Sequence, residues 1–178
     1  MSEKNLIVNN LQFSYKGIFE FGELLKVIYK SVEERGYAKH EKKHEEYVKP
    51  DGKEIYLELR PIKKKTEFFT LMVKLRITMS KIKEVDLVVD GYSRTFHQGD
   101  INIIFDCWTT TDYEGRWGQK AFYYFVRSLI DKYIYKFQMD EDYMGEGIAD
   151  TKYIYNQIRS HLGLYKFKGR EAEPVSKE

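Results

Sequence analysis

Phe68-Phe69-Thr70-Leu71-Met72-Val73-Lys74-Leu75-Arg76-Ile77-Thr78-Met79 is the stretch whose alternation decides the fold. Side chains along an extended chain point to opposite sides with period two. Phe69, Leu71, Val73, Leu75, Ile77 and Met79 therefore share one side, and Phe68, Thr70, Met72, Lys74, Arg76 and Thr78 share the other. A uniformly apolar row opposite a mixed row predicts a strand with one face in a core and the other at least partly wet. Downstream, Val85, Leu87 and Val89 carry the pattern to an Asp90-Gly91 turn. After Gly99-Asp100, Ile101 to Thr111 reads as a further strand, apolar on both faces around Ile103, Ile104, Phe105 and Trp108, and so central in the sheet. Upstream, Ile55, Leu57 and Leu59 alternate with Glu54, Tyr56, Glu58 and Arg60. A Pro50-Asp51-Gly52 turn joins them to the charged segment Tyr37 to Val48 as a hairpin.

The outer elements follow from changes of period. Asn5 to Phe19 alternates with a slip at Asn9-Asn10, which predicts a bulged strand. Phe21, Leu24, Leu25, Ile28 and Val32 form a helical stripe ended by Gly36. A second stripe, Phe122, Phe125, Val126, Leu129, Ile130, Tyr133, Ile134 and Phe137, predicts a long amphipathic helix. Asp140-Glu141-Asp142, Gly145 and Gly147 are expected to separate it from a last helix at Asp150 to Leu162. The polar tail, residues 168–178, is expected to be disordered, which leaves residues 1–167 as a single domain.

Composition narrows the function classes. The chain has 178 residues, 33% of them charged, yet a formal net charge of +2, so any attraction to nucleic acid or membrane must be local. The lone Cys107, within an apolar run, reads as a small buried side chain in a reducing compartment. No leader or membrane-spanning stretch is evident, which predicts a cytoplasmic protein without membrane contact.

The element order is strand, helix, a meander of about five strands, then two helices. It predicts an α+β domain whose antiparallel sheet of about six strands packs on a long C-terminal helix. This order resembles the helix-grip domains, START-like and polyketide-cyclase-like. That resemblance implies a curved sheet around the helix and a ligand cavity between them. The chain departs from that pattern in its extra final helix and in having one helix after the first strand. Thr111 to Trp117, Phe125-Val126-Arg127, Asp131 to Tyr135, Asn156-Gln157-Ile158 and Leu162 to Tyr165 resemble a group of small uncharacterised archaeal proteins. That likeness implies an archaeal source and no mechanism.

Three constellations are candidate sites. Tyr56, Arg60, Lys63, Lys64, Lys65, Phe68, Lys74 and Arg76 gather cations and rings near one sheet face, the combination that phosphates and unpaired bases require. Asp112, Glu114, Arg116 and Trp117 lie in a loop, with Trp108 nearby on the preceding strand, and together are rich in residue types that dominate recognition. His40-Glu41-Lys42-Lys43-His44 matches the zinc-protease pattern, in which two histidines on one helical turn bind the metal. Its charged flanks, the helix end at Gly36 and the following turn argue instead for an exposed edge strand. The leading expectation is a non-enzymatic protein, with no cofactor or metal, that binds RNA or a ribonucleoprotein such as the ribosome. A helix-grip carrier of a small apolar ligand comes second, and a zinc hydrolase using His40 and His44 third.

Overall fold

The computed structural model describes residues 3–66, 69–89, 92–111, 139–171 and 173–174. Its elements are β1 (Glu3–Phe19), α1 (Phe21–Glu34), β2 (Glu41–Lys49), β3 (Gly52–Leu59), β4 (Ile62–Lys64), β5 (Phe69–Val89), β6 (Tyr92–Thr111), α2 (Met139–Glu171) and β7 (Glu173–Pro174). The strands form one antiparallel sheet in the order β1-β6-β5-β3-β2. The edge of β5 away from β6 is shared by β4 at Thr70 to Met72, β3 from Leu75 to Ile82, and β7 at Leu87 and Val88.

The alternation in β5 sets the layers. Leu71, Val73, Leu75, Ile77 and Met79 are fully buried, in one core with Ile101, Ile103, Phe105 and Cys107 of β6 and Ile55, Leu57 and Leu59 of β3. Burying each of these large side chains contributes about 2 kcal/mol. A one-residue slip of β5 would exchange them for Lys74 and Arg76, so the register is strongly specified. Leu24, Ile28 and Val32 of α1 and Ile154, Ile158 and Leu162 of α2 enter the same core. The opposite side chains, Met72, Lys74, Arg76, Thr78 and Ser80, stay partly exposed. The fold is thus α+β, with both described helices on one face of the sheet.

Local chemistry explains the joints. The slip in β1 is a bulge, with register shifts between Leu6, Val8 and Leu11 and Asn10 at φ 54°. Helix α1 ends in a Schellman cap: Tyr37 N–H donates to Val32 O at 3.1 Å and Gly36 N–H to Glu33 O at 2.8 Å, with Gly36 at φ 76°.

The structure differs from the sequence expectation at its glycines. Gly99-Asp100 is no strand boundary but lies, with His97, within the continuous β6. Gly99 is there because β5 comes so close that a Cβ would sit 2.8 Å from Ser80 O. Gly145 and Gly147 do not separate two helices but lie inside α2, which is already helical at Met139 rather than only from near Asp150. A Cβ at Gly147 would meet Ile7 Cδ1, Cys107 Sγ and Leu71 Cδ2, so this glycine seats α2 directly on the sheet. Helix α2 also runs through Glu171, past the expected tail boundary at residue 168, and Glu173–Pro174 pair with β5. The Phe122 to Phe137 stripe lies outside the described residues. No described helix is long and apolar enough to cross a membrane.

Candidate nucleic-acid interface

Among the described residues no helix covers the sheet face opposite α1 and α2, and this open face is ordered by cross-strand rows. Lys74 lies opposite Asp106, Arg76 opposite both Glu58 and Ile104, and Thr78 opposite both Tyr56 and Asn102. Two buried carboxylates organise the cations. Glu58 accepts hydrogen bonds from Arg60 Nε at 2.6 Å and the Tyr56 hydroxyl at 3.1 Å, with Lys74 Nζ 3.7 Å away. Asp106 accepts from Arg76 Nη2 and from the Asn10 backbone N–H, each at 2.8 Å. The β1 bulge frees that N–H from its ladder to meet Asp106. Burial alone would raise the Glu58 pKa. The bonds from Arg60 and Tyr56 outweigh it, and the carboxyl is held below its ordinary value.

These pairs fix the geometry of Arg60, Lys74 and Arg76, and they also neutralise much of the charge. The face is therefore only slightly basic, with its cations preorganised rather than free. At one end an apolar row crosses four strands: Leu6 lies opposite Trp108, Trp108 opposite Met72, and Met72 opposite Ile62. Leu6 is exposed and Trp108 half-buried. On the other side of the cations, Tyr56 carries Lys43 Nζ 5.7 Å from its ring centroid. Rings thus stand on both sides of the cationic rows.

The structure divides the predicted basic set. Tyr56, Arg60, Lys74 and Arg76 share the open face. Lys63-Lys64-Lys65 begins in strand β4, where Lys63 lies opposite the core residue Leu71 and so belongs to the helix side. There Lys63 Nζ contacts Glu146 at 2.6 Å and Asp150 at 3.0 Å, and Lys65 Nζ contacts Glu146 at 2.8 Å. Arg35 Nε adds an ion pair to the buried Asp150 at 3.7 Å. Burial alone would lower the Lys63 pKa, but the bonds to Glu146 and Asp150 more than compensate, and the net shift is upward. Glu146 shows the converse: burial opposes its charge, but hydrogen bonds from Lys63 and Lys65 leave its pKa lowered. The Tyr37 hydroxyl beside this cluster is pushed well up by burial and by Asp150. Cys107, buried nearby, is raised to about 11, chiefly by burial; at neutral pH it is a thiol and no nucleophile.

Phe68, Asp112, Glu114, Arg116 and Trp117 lie outside the described residues, so of the recognition loop only Trp108 is placed. His44 lies in the exposed edge strand β2, and His40 directly precedes it. Histidines four apart in a strand are about 13 Å apart along the chain, too far to share one metal. Among the described residues no group of three His, Cys, Asp or Glu side chains is arranged to hold a metal ion. Asp106 and Glu58 are the residues that sequence reasoning missed. The signal was there for Asp106: counting outward from the Asp90-Gly91 turn places residue 106 within one position of Lys74.

Among the described residues, fold and site define an α+β protein with helices on one sheet face and a polar, ring-bearing surface on the other. No protein-family model matches the chain, and no curated protein or solved structure is significantly similar to it.

Proposed function

We propose that this is a non-enzymatic cytoplasmic binding protein that engages single-stranded RNA, alone or within a ribonucleoprotein such as the ribosome, through the open sheet face. One observation carries the reading: Tyr56, Arg60, Lys74, Arg76 and Trp108 sit on adjacent strands of a partly exposed face, cations between rings. Rings supply stacking that tolerates any base, and the cations meet phosphates. Lys63 and Lys65 drop out of the interface, because both are committed to α2.

The test is fluorescence anisotropy of a labelled single-stranded oligonucleotide over a range of KCl concentrations. Three phosphate contacts give a slope of log K against log salt of about −2. The variant Trp108→Ala should weaken binding about tenfold or more, since stacking contributes about 1–3 kcal/mol per base. Absence of binding, or binding unaffected by both salt and Trp108→Ala, removes the proposal.

The helix-grip arrangement remains the second reading. It is favoured by the placement of β1 beside β6, the last long strand among the residues described before α2. A carrier of this class holds an apolar ligand between sheet and helix. Gly147, which seats α2 against Ile7, Cys107 and Leu71, leaves no room for one at that point.

A further inference from the structure

Asp100 behaves unlike the other carboxylates of the open face. Glu58 and Asp106 are buried and held by close cations, whereas Asp100 is one-third exposed, at 34%. Its near cation is Lys16 Nζ, 4.0 Å away on a side chain that is 86% exposed, so the pair is weak. Asp100 opens onto a concavity of about 510 Å³ whose polar lining includes Ser14, Thr78, Ser80 and Asn102. Ser14 Oγ donates to Asn102 Oδ1 at 3.2 Å, which leaves the Asn102 amide its two N–H donors.

The hollow lies beside an irregularity of the sheet. Strand β5 bulges between Ser80 and Lys83, with Lys81 at φ 55°. The strands on either side each place a glycine against the bulge. A Cβ at Gly99 of β6 would lie 2.8 Å from Ser80 O, and one at Gly52 of β3 would lie 2.8 Å from the Lys81 carbonyl carbon. Bulges of this kind bend a strand and re-aim its side chains.

We infer that this concavity binds a vicinal diol, the ring hydroxyls of a sugar. A carboxylate with unfilled acceptor positions takes both O–H groups of a diol, the Asn102 amide donates to a hydroxyl oxygen, and Ser and Thr hydroxyls do either. The volume suits a monosaccharide or a nucleoside. Thr78 lies opposite Tyr56, so a nucleotide whose ribose occupied the hollow would lie beside that ring. The diol therefore has two possible sources, the ribose of RNA or a free saccharide, and the inference does not depend on RNA binding.

Amide chemical shifts of the ¹⁵N-labelled full chain, titrated separately with D-ribose, methyl glucoside, oligouridylate and its 2′-deoxy counterpart, test the site. The expected result is saturable shifts at residues 14–16, 78–80 and 100–102, weakened about tenfold or more by Asp100→Asn and also reduced by Ser80→Ala. Shifts from oligouridylate but not from the deoxy oligomer identify ribose. Shifts from a free sugar with none from either oligomer identify a saccharide site and leave the inference standing while removing RNA from this face. No saturable shift with any diol, or Asp100→Asn and Ser80→Ala variants that fold and bind as tightly as the wild type, overturns it.

Discussion

Two clusters of cations and carboxylates stand on opposite faces of one sheet, and they differ in what surrounds them. On the helix side, Lys63, Lys65, Glu146, Asp150 and Arg35 are joined across β4, α2 and the end of α1. The pairs of Lys63 and Lys65 hold α2 on the sheet, and that of Arg35 ties α2 to the end of α1. On the open face, Arg60, Lys74 and Arg76 are anchored by Glu58 and Asp106 on neighbouring strands, and Arg76 remains one-third exposed. A lysine run in a sequence reports neither arrangement. What separates a latch from a binding surface is which elements the cations tie together: on one face α2 to the sheet, on the other only neighbouring strands of the sheet itself.

The largest effect that would break the comparison is on the helix side. Asp150→Ala removes a buried carboxylate from Lys63 and Arg35 and should cost about 3 kcal/mol in urea denaturation, with RNA affinity unchanged once the protein is folded. A stable Asp150→Ala protein that loses RNA binding would assign the interface to the latch. On the open face, Arg76→Gln leaves Asp106 with the Asn10 N–H and should cost about 1–2 kcal/mol, while RNA binding weakens and its salt slope becomes shallower by about 0.7.

The smallest effect is the pH dependence. Glu58 and Glu146 both have pKa values below the ordinary 4.5, so their contributions are present above that value and are lost as pH falls through the depressed ones. Lys63 has a pKa above the ordinary 10.5, so its contribution is present below that value and is lost as pH rises through the elevated one. Thermal melts should therefore show Glu58→Gln flattening the acid limb, while Lys63→Gln flattens the alkaline one. An alkaline limb unchanged by Lys63→Gln would contradict the latch.

Much of this architecture was legible in the sequence. Period-two alternation from Phe69 to Met79 gave the two faces, the slip at Asn9-Asn10 gave the bulge, and Pro50-Asp51 gave the hairpin between β2 and β3. The glycines misled because close approach and turn formation ask for the same residue. Gly99 and Gly147 are required by neighbours distant in sequence, Ser80 for the first, and Ile7, Leu71 and Cys107 for the second. The division of Lys63 from the open face was hidden for the same reason. Strand β4 is too short to show a period, and its partners in β5 and α2 are non-local.

The measurement that bears most directly on the account is ultraviolet cross-linking of single-stranded RNA to the full chain, followed by mass-spectrometric mapping of the modified peptides. Adducts are expected on peptides carrying Tyr56 and Trp108, the rings on either side of Arg60, Lys74 and Arg76. Adducts confined to the peptides of β4 and α2, with Tyr56 and Trp108 unmodified, would contradict it.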